Sequence, residues 1–473
     1  MPGGDFLECN HNKLAMKLHK IALSLFVLTS FAATSCQENE YGEVDLTPNE
    51  KNKDVEGVYT YNHPCAMYDK DDFDRVKALL ASPDCPAEVK AEFQNLTNSS
   101  RVNVNYTPQP VEIVYRGSGT PENYRRAFED AGSAWQMALL WKLTDNAAYA
   151  DAAVRILNEW AATCKQVTGS SDQSLCAGAQ GFTFANAAEI LRGYSGWNAQ
   201  DFATFKQWML NVWAERNIDF LRRHHGQCND HYWSNWDLVS LSSYLAIGIL
   251  CENNDMVNYV VNYFHRGVGN GNIKKLVPGF HADPLGSGET IGQNQESGRD
   301  QGHAMMSCAV ASNLAQMSYT LFKLNPEIPD LDFFAANDNA LMKMAEYVAL
   351  TNLRQGTDRE NKTGLWLVSA DKIPFATYNY CIDCACNGGR PHDHGSVQTT
   401  FADDEGRGAL RPCFEIYLNH YQRVKGFGDG YRYVKMAADK VRPEGGVGES
   451  ENRYGNNSGA YDQLGWGTLM LYR

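Results

Sequence analysis

Apolar residues recur at intervals of three and four along most of this chain, and strict alternation is nearly absent. The periodicity predicts helices over residues 70–81, 87–95, 124–144, 147–165, 183–192, 201–222, 232–251, 256–268, 297–324, 333–350, 408–424 and 430–438. Asp201 and the acidic run Asp69 to Asp72 are suited to helix N-termini. Thr144-Asp145-Asn146 separates two of the helices so briefly that they must fold back as an antiparallel hairpin. Only residues 363–375 and 465–472 hint at strands, and stretches 386–389 and 445–465 are glycine-rich loops. About a dozen helices without a sequence repeat predict an all-α fold. A ring of helical hairpins, an (α/α) toroid or incomplete barrel with minor β structure and long loops on one face, fits that count better than a bundle.

Two places break the pattern in the same way. The polar run 289–303 leads into an apolar segment beginning at Ala304, and Asn229-Asp230-His231-Tyr232-Trp233-Ser234-Asn235-Trp236-Asp237 leads into another beginning at Leu238. If the helix of 297–324 extends back a turn, Glu296, Arg299, Asp300 and His303 share one face. Charges seldom leave water unpaired, so such a face is an internal ion-pair network or the wall of a working site. Two core helices with His, Asn and charged residues at their mouths favour the site.

Lys17, His19 and Lys20 precede an apolar run, 21–33, too short to span a bilayer comfortably, and Thr34-Ser35-Cys36 follows. Residues 1–36 therefore read as an export signal with a lipoprotein-type cleavage site, Cys36 as the lipidated residue, 37–60 as a flexible tether and 61–473 as a single catalytic domain. The formal net charge of −14 argues against nucleic acid as a partner, so an anionic substrate needs a local basic pocket. Of 13 cysteines, 11 lie beyond Cys36. Cys251 and Cys308 sit in apolar runs as small hydrophobes, and Cys164 with Cys176 is the first pair to try as a disulfide. Cys381, Cys384 and Cys386 with His392 and His394 offer ligands for a structural divalent metal, although the spacing matches no standard zinc module. No other cofactor is expected. Trp135, Trp141, Trp160, Trp208, Trp213, Trp233 and Trp236 lie on or beside helices, where most pack the core and a few can stack on sugar rings.

Asn186-Ala187-Ala188-Glu189, His231-Tyr232-Trp233-Ser234-Asn235-Trp236, Glu296-Ser297-Gly298-Arg299-Asp300-Gln301-Gly302-His303, Arg411-Pro412-Cys413-Phe414-Glu415 and Asn419-His420-Tyr421 together resemble the alginate lyase superfamily of polysaccharide lyases. The resemblance implies an (α/α) toroid and cleavage of uronic-acid polymers by β-elimination; an anionic polysaccharide substrate and a monomer are the expected partner and state. Where related lyases carry Asn-Asn-His, this chain has Asn229-Asp230-His231, and Met306 stands where they place a catalytic tyrosine. The proton-transfer residue is therefore not assigned by the resemblance.

β-Elimination needs the C6 carboxylate neutralised, a base at C5 and an acid for the oxygen leaving C4. Arg299 suits a bidentate grip on the carboxylate and Asn235 a hydrogen bond to it. His303 is the expected base, His231 the neutraliser or partner acid, and Tyr378 the leaving-group acid. Glu296 and Asp300 are expected to orient Arg299 and His303. Gln301, Tyr232, Trp236, His394 and Arg411 are candidate sugar contacts, Arg411 with an alternative salt bridge to Glu415. A glycoside hydrolase would instead use Glu296 with Asp237 or Asp283. A glycan-binding lipoprotein would need none of this machinery.

Overall fold

The computed structural model describes residues 54–117, 122–379, 397–428, 432–448 and 460–472. All lie in the compact unit Glu40–Arg473. In chain order the helices are α1 (Lys70–Ala81), α2 (Ala87–Thr97), α3 (Arg125–Thr144), α4 (Ala147–Thr163), α5 (Gln173–Leu191), α6 (Ala199–Trp208), α7 (Glu215–Arg223), α8 (Ser234–Cys251), α9 (Asn254–Arg266), α10 (Ile273–Leu276), α11 (Gln301–Leu324), α12 (Ala336–Asn352), α13 (Phe414–Leu418), α14 (Tyr433–Val441) and α15 (Gly467–Leu471). The strands β1 (Ile113–Arg116), β2 (Gln166–Gly169), β3 (Gly279–Ala282), β4 (Thr290–Gln293), β5 (Tyr378–Asn379) and β6 (Val397–Gln398) form three separate two-stranded ladders.

The packing runs around a circuit. α3 lies on α5, α5 on α8, α8 on α11, α11 on α13 and α13 on α15, while α15 reaches α1 and α2, which return to α3. This is the expected all-α toroid of helical hairpins. The inner helices α5 and α8 are buried on nearly every side, so they show no helical stripe, whereas α9 buries one face only. Close approach of α5 to α8 depends on small residues. A Cβ on Gly178 would stand 2.7 Å from the backbone carbonyl carbon of Val239, and one on Gly181 would strike the Ser243 hydroxyl.

Several expected boundaries shift. α5 begins at Gln173, not at 183, because its glycines and short polar residues, which look like a loop in sequence, are what the α8 contact demands. The helix expected over 201–222 contains a π-helical turn at Met209–Ala214, and that of 408–424 begins only at Phe414 and ends in a π-helical segment, Asn419–Val424. Residues expected as a strand at 465–472 contain α15, whose Leu469, Met470 and Leu471 are all buried. Residues 363–375 carry an isolated bridge from Arg354 to Trp366 and a 3-10 turn at Ala370–Lys372. The Trp366 ring lies between the Arg354 and Arg407 guanidinium groups, 3.6 and 4.1 Å from their central carbons. Cys164 and Cys176 are free thiols, not a disulfide, and the Cys164 thiol points at the Gln166 carbonyl, 3.8 Å away. Trp135, Trp160, Trp208 and Trp213 are core residues.

An extended segment before α1 is held by side chains of α9. Asn262 pairs with both backbone groups of Val55 at 2.8 and 3.0 Å, Asn258 with both of Gly57 at 2.8 and 2.9 Å, and Asn254 accepts from the Tyr59 N–H at 3.3 Å. Asn325, at the end of α11, does the same for Thr60 at 2.7 and 3.1 Å. The spacing i, i+4, i+8 on the helix matches every second residue of an extended chain.

Gly178→Ala tests the α5–α8 contact. Alanine is favoured over glycine within helices by up to about 1 kcal/mol. Overpacking against a backbone that cannot yield costs about 1–3 kcal/mol. The expected net result is a lower unfolding free energy in urea, and a more stable variant would refute the contact's importance.

Candidate active site

The N-terminus of α8 has no side-chain cap of its own. Residues from the turn before α11 supply it. Gln295 Oε1 accepts from the Ser234 N–H at 2.8 Å, and Glu296 Oε1 from the Asn235 N–H at 3.0 Å. Glu296, fully buried, also accepts from the Ser234 hydroxyl at 3.0 Å, the Ser307 hydroxyl at 2.5 Å and the Asn235 amide at 2.9 Å to each oxygen. A carboxylate at a helix N-terminus meets unpaired N–H groups and the positive end of the dipole, which together offset its desolvation.

Glu296 and Arg299 are not on α11, as the helical face expected from sequence requires. They lie in a tight turn, with Ser297 N–H bonded to the Asn294 carbonyl at 3.0 Å and Arg299 N–H to the Glu296 carbonyl at 2.9 Å. Asp300 caps α11 by accepting the His303 N–H at 2.8 Å. The four side chains nevertheless converge. Arg299 donates to Glu296 at 2.9 Å and to His303 Nε2 at 3.2 Å, its Nε sits 3.4 Å from Asp300, and its plane covers the Trp233 ring at 4.9 Å. His303 Nδ1 meets Asp300 at 2.7 Å.

Arginine has only donors, so His303 Nε2 must present its lone pair and Nδ1 must carry the proton given to Asp300. Burial pushes the Asp300 carboxyl upward, but hydrogen bonds from the His303 ring and backbone, with the charge of Arg299, hold it below the usual carboxylate range. Arg299 is one quarter exposed and His303 side chain 41% exposed, so both reach solvent from a buried footing. The five N–H donors of Arg299 outnumber its three polar partners, Glu296, His303 and Asp300.

Tyr378, on β5, comes to the same turn from another part of the chain, beside Gln295. Burial pushes its hydroxyl up to about 12, with the Asp230 carboxylate adding to the shift and the Gln295 amide opposing it. It therefore stays protonated at neutral pH. The ladder that carries it is fixed to the same turn, since Gln398, its partner on β6, donates to the Gln295 carbonyl at 2.7 Å. His231 lies two residues before Trp233, half-buried, with its ring edge-on to Tyr232 at 4.8 Å. Tyr232 and Trp236 are half-buried and tilted against each other at 4.7 Å. Tyr232 also packs edge-on against Phe220 at 5.2 Å.

Three expectations need correcting. Both Asn235 amide contacts go to Glu296, so this side chain braces the carboxylate and is not a free donor for a sugar. Gln301 is buried beneath the turn, its amide donating to the Ser297 carbonyl and accepting from Asn352, each at 3.0 Å. Arg411 pairs with Asp462 at 2.9 Å and not with Glu415, which instead receives Arg423 at 2.9 Å and Arg442 at 2.7 Å. Cys36, Cys381, Cys384, Cys386, His392 and His394 lie outside the described residues. Gln295, Ser307, Trp233 and Asp230 escaped the sequence reading as site residues. Gln295 lies within the polar run that was singled out but is uncharged, whereas Ser307 lies a full turn into an apolar helix, where nothing marks it.

A helical ring with its polar cluster at the mouths of two inner helices defines the protein as an (α/α) toroid. A family model described as alginate lyase matches residues 90–275, bearing out over that segment the likeness read from the sequence. The match takes in His231 and Asn235 and stops short of Glu296. Alginate lyase A1-III from Sphingomonas species A1 has the same fold, with a TM-score of 0.51 at 13% identity over 88% of this chain and 98% of that one. An alginate lyase from Bacteroides ovatus aligns at a TM-score of 0.46 and 9% identity over 79% of this chain and 96% of that one. A search of curated protein sequences finds no match.

Glu296→Gln should unfold at markedly lower denaturant. The amide nitrogen would face donors, and Arg299 would lose its buried partner, a defect that costs about 3–5 kcal/mol. An unchanged urea midpoint would show that the carboxylate is not what joins α8 to α11.

Proposed function

We propose that this protein is a polysaccharide lyase that cleaves uronic-acid-containing polymers of the alginate or glucuronan type by β-elimination, leaving unsaturated uronate ends. The observation that carries this reading is the convergence of Arg299, His303 and Tyr378 around one turn, 294–300. The alginate lyase family match and the shared fold support it.

In this reading the spare N–H groups of Arg299 take the C6 carboxylate, and its hold on His303 Nε2 is exchanged for the sugar. The released lone pair removes the C5 proton, with Asp300 stabilising the imidazolium through Nδ1. As the C4–O bond breaks, the Tyr378 hydroxyl delivers its proton to the leaving oxygen. The electron pair of the broken C5–H bond becomes the C4–C5 double bond. His231, on the loop beside Trp233, adds positive charge or a proton for the same acidic sugar, and Tyr232 and Trp236 offer ring faces to neighbouring units.

The hydrolase alternative loses its carboxylates. Glu296 is wholly occupied by the two helix ends. Asp237 is bound by His224 at 3.1 Å, Tyr263 at 2.9 Å and the Gly271 N–H at 2.7 Å. Asp283 is held by Tyr433 at 2.8 Å and the Leu285 N–H at 2.9 Å.

We also read Cys36 as a lipid attachment point that holds the enzyme at the cell envelope, on the strength of the signal-like run before it. No helix among the described residues is long and apolar enough to cross a membrane.

Incubation with alginate and with glucuronan should produce ultraviolet absorbance from the conjugated uronate. His303→Ala and Arg299→Ala should each lower turnover by at least about 10² while leaving the circular dichroism spectrum unchanged. Polymer that binds yet gains no absorbance would overturn the lyase reading. A folded His303→Ala protein with near-normal rates would remove that residue from the mechanism.

A further inference from the structure

At the opposite end of α8 from the candidate active site, three side chains of metal-ligating type come together. His63 and Cys65 belong to the segment that precedes α1, and Glu189 to the last turn of α5. His63 Nδ1, Cys65 Sγ and a Glu189 carboxylate oxygen all lie within 4.8 Å of one another. We propose that His63, Cys65 and Glu189 form a site for a divalent cation of the zinc class, which fastens the segment before α1 to the ends of α5 and α8.

The first argument is geometric. Zn–S of about 2.3 Å and Zn–N of about 2.0–2.1 Å at a tetrahedral angle put sulfur and nitrogen roughly 3.5 Å apart. Cys65 Sγ and His63 Nδ1 are 3.5 Å apart. Glu189 Oε1 now sits 2.5 Å from Nδ1, so the carboxylate must move outward by roughly 1 Å to complete an edge of the same polyhedron.

The second argument is orientation. His63 Nε2 faces Glu252 Oε1 at 3.0 Å, the carboxylate–histidine arrangement that fixes a ligating ring and leaves the other nitrogen for the ion. Glu252 is the residue just after α8, so the support is built into the helix end.

The third is charge. Glu189 is buried, and its Oε2 makes no hydrogen bond; the nearest cation is Arg192 Nε at 3.5 Å. Arg192 also pairs with Glu252 at 3.1 Å. Setting Arg192 against Glu252 leaves Glu189 and a Cys65 thiolate, two negative charges that a divalent cation neutralises. Burial first, and the Glu189 charge second, strongly disfavour that thiolate, so binding releases the thiol proton to solvent. His63 has 12% of its side chain exposed, so the site lies close to solvent, and a water would serve as fourth ligand.

The full-length protein, stripped with chelator, is titrated with Co²⁺ under anaerobic conditions and, separately, melted with and without Zn²⁺. The expected result is one tightly bound ion with the visible bands of tetrahedral cobalt, a thiolate-to-cobalt charge-transfer band, and a rise in melting temperature with zinc. Cys65→Ser should abolish the charge-transfer band, and His63→Gln should remove the zinc-dependent rise. Glu252→Gln should weaken cobalt binding about 10- to 100-fold, as for other partners of ligating histidines. Because Cys381, Cys384 and Cys386 offer other thiolates, a variant with all three replaced by serine should keep the band. A band that survives in Cys65→Ser, or no cobalt spectrum at all, would overturn the proposal. So would a zinc-dependent rise that persists in His63→Gln if Cys65→Ser does not fold.

Discussion

The candidate site rests on one buried carboxylate. Glu296 receives the Asn235 N–H in the first turn of α8, the hydroxyl of Ser234, the hydroxyl of Ser307 on α11 and the guanidinium of Arg299. Its position next to a helix end surrounds it with donors in place of solvent, and its reach across the gap makes the start of one inner helix depend on the turn that opens another. Arg299 is then fixed by the same group, Asp300 by its capping role, and His303 by Asp300. Exposure therefore rises stepwise from buried Glu296 through Arg299 and Asp300 to His303, each held by a less exposed neighbour.

The loop that carries His231 has an independent footing. Asn270 donates to the carbonyls of Asp230 and Tyr232 at 2.9 and 2.7 Å. Below it, Asp237 gathers His224, Tyr263 and the Gly271 N–H. These contacts lie beneath the loop, and they set its height against the turn at 294–300. Precision at such a site comes from hydrogen bonds that are satisfied elsewhere.

Much of this was legible in the sequence. The outer helices carry one apolar stripe, and the period of that stripe located most of them to within a few residues. The all-buried helices were harder: α5 lost its first ten residues to a loop reading because Gly178 and Gly181, which exist for the approach of α8, are also loop residues in composition. The charged cluster at 296–303 was visible because ionisable groups abut an apolar run, but periodicity placed it on a helix when the chain turns there. Tyr378 was named for its loop, and its approach to Gln295 is a tertiary fact that no local pattern encodes. Asn235 and Gln301 were misjudged for one reason: an amide looks the same in sequence whether it meets a ligand or a carboxylate beneath it.

The asparagines of α9 have a mechanical corollary. Asn254, Asn258 and Asn262 grip the alternate backbone positions 59, 57 and 55 of the segment before α1, and Asn325 holds the next residue, Thr60. Tension applied along that segment from its upstream end loads those amides together, in shear, instead of peeling them one after another. Because the grip is on peptide groups, a proline at 55, 57 or 60 would delete a rung, and a side chain at Gly57 would meet the Tyr59 ring and Ile328.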